Sequence, residues 1–257
     1  MATTAMAGVG AGNYARHGLV DAPTASLLAG VGACTAAVGA RAAGRFGGSR
    51  YAGLFRPAFG AILLALAPGI ITKKSMGADK DTRARIRTLQ EAVDKAGLFQ
   101  FTKRQFGNFS LDPAKHPGLL VSGGVGGFTQ GFAAFGGGLI QTYYMANFMS
   151  PDLIQHQIIG TSLAASAIVN TLAARIYIVS RHVHFPTAAA LGGVGAASLV
   201  MCTSVTLDVS EAKMRQVFGA FLLVSSGLML KRGLPDVVKV ARGARLGGAR
   251  EGAGKKR

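Results

Sequence analysis

Gln130, Gln141 and Asn170 are polar side chains in stretches that carry almost no formal charge. Thr161 and Ser162 add hydroxyls, and Gly136, Gly137 and Gly138 form a triplet between the two glutamines. Amides, hydroxyls and glycine-exposed backbone N–H groups donate hydrogen bonds without bringing a fixed charge. That is chemistry for holding a ligand, not for breaking a bond. The same residue types also let helices pack closely, and packing is the plainer reading of them. His182 and His184 have the look of a metal pair, but they sit beside Arg181 at a segment boundary with no carboxylate or cysteine nearby. Cys34 and Cys202 have no metal-ligand spacing and read as small packing residues. There is no nucleophile–base pair, phosphate loop or carboxylate pair, so neither an enzyme nor a cofactor or metal is expected.

The elements that must position these groups follow from where charge is missing. Between Arg16 and Arg41 the only charged residue is Asp21, and none lies between Arg56 and Lys73, His116 and Pro151, Leu153 and Ala174, or His182 and Leu207. Another gap runs from Gln216 to Leu230. A helix crosses a bilayer with about 20 mainly apolar residues, and a soluble domain would interrupt such runs on its wet faces. The expectation is an all-α membrane protein with about six hydrophobic segments. These are Val20–Ala40, Leu54–Ile71, the Gly-rich 118–149, Leu153–Tyr177, Pro186–Thr206 and Val217–Leu230. The net charge of +17 sits at segment ends and in the tail. It therefore points to a lipid bilayer, with anionic lipid as one contact, and away from nucleic acid.

Residues 79–97 differ in kind. Ile86, Leu89, Val93 and Ala96 share one helical face, Gly97 is a natural stop, and Arg83, Arg85 and Arg87 line other faces. This reads as an amphipathic helix on a membrane surface or against a partner, or as a solvated connector. Lys239, Arg242 and Arg245 in the basic tail are assigned to the same kind of contact. Residues 1–18 are poor in acids and carry one Arg. They read as a remnant of a mitochondrial targeting segment or as a flexible terminus.

"PTASLLAGVGA" begins at Pro23 and "PTAAALGGVGA" at Pro186, with eight of eleven positions identical. "RPAFGAILLALAPGIITKK" from Arg56 is echoed by "RQVFGAFLLVSSGLMLKR" from Arg215. The offset between copies is 163 residues for the first pair and 159 for the second. The chain thus divides into an N-terminal extension (1–19), a partial first repeat (20–74), a connector (75–117), a complete second repeat (118–232) and a basic tail (233–257).

"GGVGGFTQGFAAFGGG" (Gly123–Gly138), "GTSL" (Gly160–Leu163), "HVHFPTAAALGGVGA" and "FGAFLLVSSGLMLKR" together resemble the sulfite exporter TauE/SafE family. Tyr143 stands where the family usually has a proline, and Ile158 and Ile159 where it usually has a small residue. The resemblance implies a permease for sulfite, organosulfonates or similar small anions. Gln130, Gly136, Gly137, Gly138, Gln141, Thr161, Ser162 and Asn170 would then line the anion path. The first repeat, however, lacks its Gly-rich and Gly-Thr-Ser segments. The reading favoured by that loss is a non-catalytic membrane subunit derived from such a permease. It would serve with other membrane subunits in a hetero-oligomeric assembly, such as a respiratory or ATP synthase complex of the mitochondrial inner membrane. The alternative is the permease itself.

Overall fold

The computed structural model describes residues 1–46, 54–71, 79–108, 117–133, 137–149, 153–181, 183–207 and 209–254, with the side chains at 55, 56, 70, 79–82, 204, 211 and 239–254 outside the description. Among these residues the chain is helical: α1 (Ala2–Arg16), α2 (Ala22–Phe46), α3 (Phe55–Ile71), α4 (Asp79–Asn108), α5 (Pro117–Ala133), α6 (Gly137–Tyr144) with a π-helical turn (Met145–Met149), α7 (Gln155–Val179), α8 (Phe185–Thr206) and α9 (Glu211–Gly254). Among the described residues four stretches are long and apolar enough to cross a membrane: Ala22–Phe46, Gln155–Val179, Phe185–Thr203 and Ala212–Val238. A shorter apolar stretch, Pro57–Gly69, lies in α3. The chain forms two compact units, Met1–Ala43 with Lys74–Met214, and Gly44–Lys73 with Arg215–Arg257.

The echoed prolines have one local role. Pro23 and Pro186 are each the second residue of their helix, where a missing N–H costs nothing and a fixed φ favours the helical start.

The echo also reaches further back than the sequence reading placed it. The terminus expected as an extension is α1, a packed helix that buries Ala7, Gly10 and Tyr14. Residues 2–16 stand 163 positions before 165–179, the second half of α7, and the alignment pairs Tyr14 with Tyr177. The contacts repeat under the same exchange. In the first unit, a Cβ on Gly195 of α8 would meet Met6 of α1, and one on Gly32 of α2 would lie 2.9 Å from Val169 of α7. These are the same contact with the copies exchanged. In the second unit, a Cβ on Gly60 of α3 would lie 3.1 Å from Leu230 of α9, and one on Gly219 of α9 would meet Ile71 of α3. Within each unit the echoed helices thus meet in contacts that survive exchange of the echoed positions.

The Gly-rich stretch 118–149 is a helical hairpin, not a single crossing. A Cβ on Gly126 would lie 2.9 Å from the Gly137 carbonyl, and one on Gly118 would strike the Tyr144 ring, so α6 folds back antiparallel along α5. Gly123, Gly127 and Gly131 recur every fourth residue on the face of α5 that meets Leu28, Gly32 and Ala36 of α2. A Cβ on Gly131 would land on the Ala36 carbonyl, so only glycine lets the two backbones approach this closely.

Helix α4 extends past its predicted stop. Gly97 breaks it (φ 75°, ψ 150°), but the helix resumes to Asn108. Its apolar face packs on the chain itself: Ile86 and Leu89 join Tyr14, Leu19 and Ile154 in one core cluster. Arg83, Arg85 and Arg87 remain exposed. The tail predicted as a separate element continues the α9 backbone, while the side chains of Lys239, Arg242 and Arg245 lie outside the described residues. Cys34 and Cys202, expected as packing residues, are both exposed.

Candidate functional site

Three elements of the first unit converge at the tip of the hairpin. Gln130 comes from the end of α5, Gly137 and Gly138 from the start of α6, and Ser166 from the middle of α7. The Gln130 amide donates to the Ser166 hydroxyl at 2.7 Å. A Cβ on Gly137 would strike the Gln130 side chain, and one on Gly138 would lie 2.9 Å from Ser166 Oγ. The first turn of α6 is thus wrapped by this polar pair. An α-helix leaves its first N–H groups without intrahelical partners, and the end carries partial positive charge.

The depth of this point follows from α7. Ser166 lies near the centre of Gln155–Val179, which is long enough to span, so the start of α6 packs against the middle of that candidate span. A chain reversal at such depth is tolerated only where protein or a water-filled cavity surrounds it. Half-helix N-termini near the midplane are a recurring arrangement for anionic substrate groups in transporters.

Gln141 lies one turn into α6, fully buried at 0 % exposure. Neither its Nε2 nor its Oε1 has a hydrogen-bond partner among the described residues, and neither does Gln130 Oε1. A buried polar group left unpaired costs about 1–3 kcal/mol. Its Nε2 would lie 3.3 Å from a Cβ on Gly126, which places the carboxamide between the arms of the hairpin. The surroundings are neutral, with no Asp, Glu, Lys or Arg anywhere in α5 or α6.

The other residues singled out from sequence divide. Thr161 Oγ1 accepts the Asp21 backbone N–H at 2.9 Å, which ties α7 to the start of α2. Ser162 accepts from Thr142 at 2.9 Å and passes its own proton to the Ile159 carbonyl at 3.0 Å, so this relay ends on the backbone. Asn170 is buried one turn beyond Ser166. Gly136 lies outside the described residues, as does His182. His184 is exposed and pairs with Thr187 at 2.8 Å. Sequence reading missed Ser166 and Thr142. The available signal was the i, i+4, i+8 recurrence of Ser162, Ser166 and Asn170 in an otherwise apolar helix. It also missed Tyr177, whose hydroxyl donates to the Gly131 carbonyl at 2.6 Å and so holds α7 against α5.

The sulfite exporter TauE/SafE family matches residues 1–229. The chain belongs to that family. The match includes α1, in line with its place in the repeated bundle, and makes the chain an integral membrane protein of a transporter family. No curated protein and no solved structure matches it. Nothing in the fold or the match supports the mitochondrial inner membrane, a respiratory or ATP synthase host, or the role of accessory subunit. The permease reading fits the family better.

Proposed function

We propose that the chain is a permease for a small oxyanion of the sulfite or organosulfonate class, with its substrate held at the hairpin tip by Gln130, Gln141, Ser166 and the first N–H groups of α6. The observation that carries this reading is the Gln141 carboxamide, fully buried with neither polar atom paired among the described residues. A structural subunit has no use for that arrangement, and a cavity-filling Leu would serve it better. A permease has a use for it. An anion that sheds water needs donors in its place, and neutral donors hold it weakly enough to let it leave. The Ser166 hydroxyl accepts from Gln130 and borders the first turn of α6. The family match supports the substrate class. The path is assigned to the second repeat, which holds α5 and α6.

The test is sulfite uptake into liposomes containing the purified chain, with Gln141→Leu as the variant. The expected result is saturable uptake that falls by an order of magnitude or more in the variant, whose melting temperature in detergent is unchanged or higher. Removing an unpaired buried amide relieves a cost of about 1–3 kcal/mol, so lost flux would not come from lost folding. No uptake above empty liposomes, or equal uptake by both proteins, would overturn the proposal.

A further inference from the structure

The second half of α4 is a separate device. Beyond the Gly97 break, Leu98 to Asn108 form three turns without an acidic residue. Gln105 pins them: its amide donates to the Val20 carbonyl at 3.0 Å, and its Oε1 accepts the Ala22 N–H at 3.2 Å. Val20 and Ala22 flank the start of α2, one of the four candidate spans. Two more spans end in the same place. Ile154, the residue before α7, and Leu207, just after α8, belong to or pack on the cluster that seats Ile86 of α4. The half-helix is therefore fixed where three crossings begin or end, at the boundary between acyl chains and headgroups.

Its other face is exposed among the described residues. Phe99 is 78 % exposed and Phe106 49 %, large apolar rings left outside the packed bundle. Phe99, Lys103 and Phe106 recur at i, i+4 and i+7, so they form one stripe, and Lys103 and Arg104 are exposed with them. Rings at that depth beside cations match the composition of interfacial helices, whose apolar face enters the acyl boundary while basic residues meet anionic headgroups. The folding of Ile86, Leu89 and Val93 onto the chain itself explains why the aromatic work falls to the second half.

We propose that Leu98–Asn108 is an interfacial anchor: Phe99 and Phe106 enter the acyl boundary of the bilayer that the chain spans, and Lys103 and Arg104 hold anionic phospholipid headgroups. The occupant is lipid and not protein because Gln105 sets the depth, and lipid is the medium already present at that depth around α2.

The chain contains no tryptophan, so Phe99→Trp makes a lone fluorescent reporter at an exposed site. The full-length variant is placed in vesicles of phosphatidylcholine, alone and with phosphatidylglycerol added. Expected are blue-shifted emission, about twofold quenching by lipids brominated high on the acyl chain, and little quenching by aqueous iodide. Added phosphatidylglycerol should strengthen the bromolipid quenching. Lys103→Glu with Arg104→Glu in the same background should remove that dependence on anionic lipid. Strong iodide quenching would show a solvated helix and overturn the proposal. Protection from both quenchers would show a protein partner and overturn it equally. Phe106→Trp repeats the reading independently, and circular dichroism confirms that both variants are folded.

Discussion

Thr161 and Gln141 show how alike polar residues in one membrane interior take different work. Both drew attention for the same reason, a polar side chain in an uncharged run. Thr161 is committed to the Asp21 N–H, whereas Gln141 has no partner among the described residues. Thr161→Val should therefore lower stability by about 0.5–1.5 kcal/mol, the net worth of one hydrogen bond, and leave sulfite flux near normal. Thermal melting in detergent and liposome uptake read the two effects separately. Flux lost with stability intact would move Thr161 into the path. Sequence alone could name the glutamines because amides are rare in such stretches. It could not separate Thr161 and Ser162 from Ser166, because which hydroxyl is already satisfied depends on where α2 and α6 lie. Ser166 itself was passed over since serine in an Ala-rich helix reads as packing.

At the level of elements, glycine spacing decides how α5 meets α2. Gly131 has the Ala36 backbone where a Cβ would go, but Gly124 has only Val31 and Thr35 side-chain atoms at 3.7 and 3.8 Å. Gly131→Ala should cost about 1–3 kcal/mol through forced separation of the helices, whereas Gly124→Ala should be neutral or slightly stabilising because alanine favours the helix. Melting curves of the two variants, side by side, check this. Hydropathy placed the ends of α7 and α8 well because those ends coincide with charge or polar clusters. It treated 118–149 as one segment because a hairpin and a long helix have the same composition. Only the packing of Gly126 on Gly137 tells them apart. Gly97 is a break and not the expected stop, and nothing local announces that the helix resumes, since Leu98–Asn108 is held by the distant Gln105 contacts.

For the whole molecule, the exchange of contacts between copies can be tested by cross-linking. A Cβ on Gly192 would lie 3.8 Å from that of Ala2, within disulfide reach. The exchanged pair is Ala29 and Ala165, both buried in one cluster. With Cys34→Ser and Cys202→Ser in the background, the pair Ala2→Cys and Gly192→Cys and the pair Ala29→Cys and Ala165→Cys should each close a disulfide on mild oxidation, read by gel shift after proteolysis. Closure of one pair alone would show that the copies are not equivalent. The sequence revealed two of the three repeated helices. It hid the third because α1 keeps Tyr14 but almost nothing else of its counterpart, so its membership shows only in what it touches. That membership also sets a timetable for synthesis. Helix α1 is 15 residues long, too short to span, and its main partners are α7 and α8. Roughly 140 residues separate it from α7, and at about 5–20 residues per second the ribosome needs about 7–30 s to make them. Throughout that interval α1 lacks its main seat and has α4 to rest on, so it settles long after it is made.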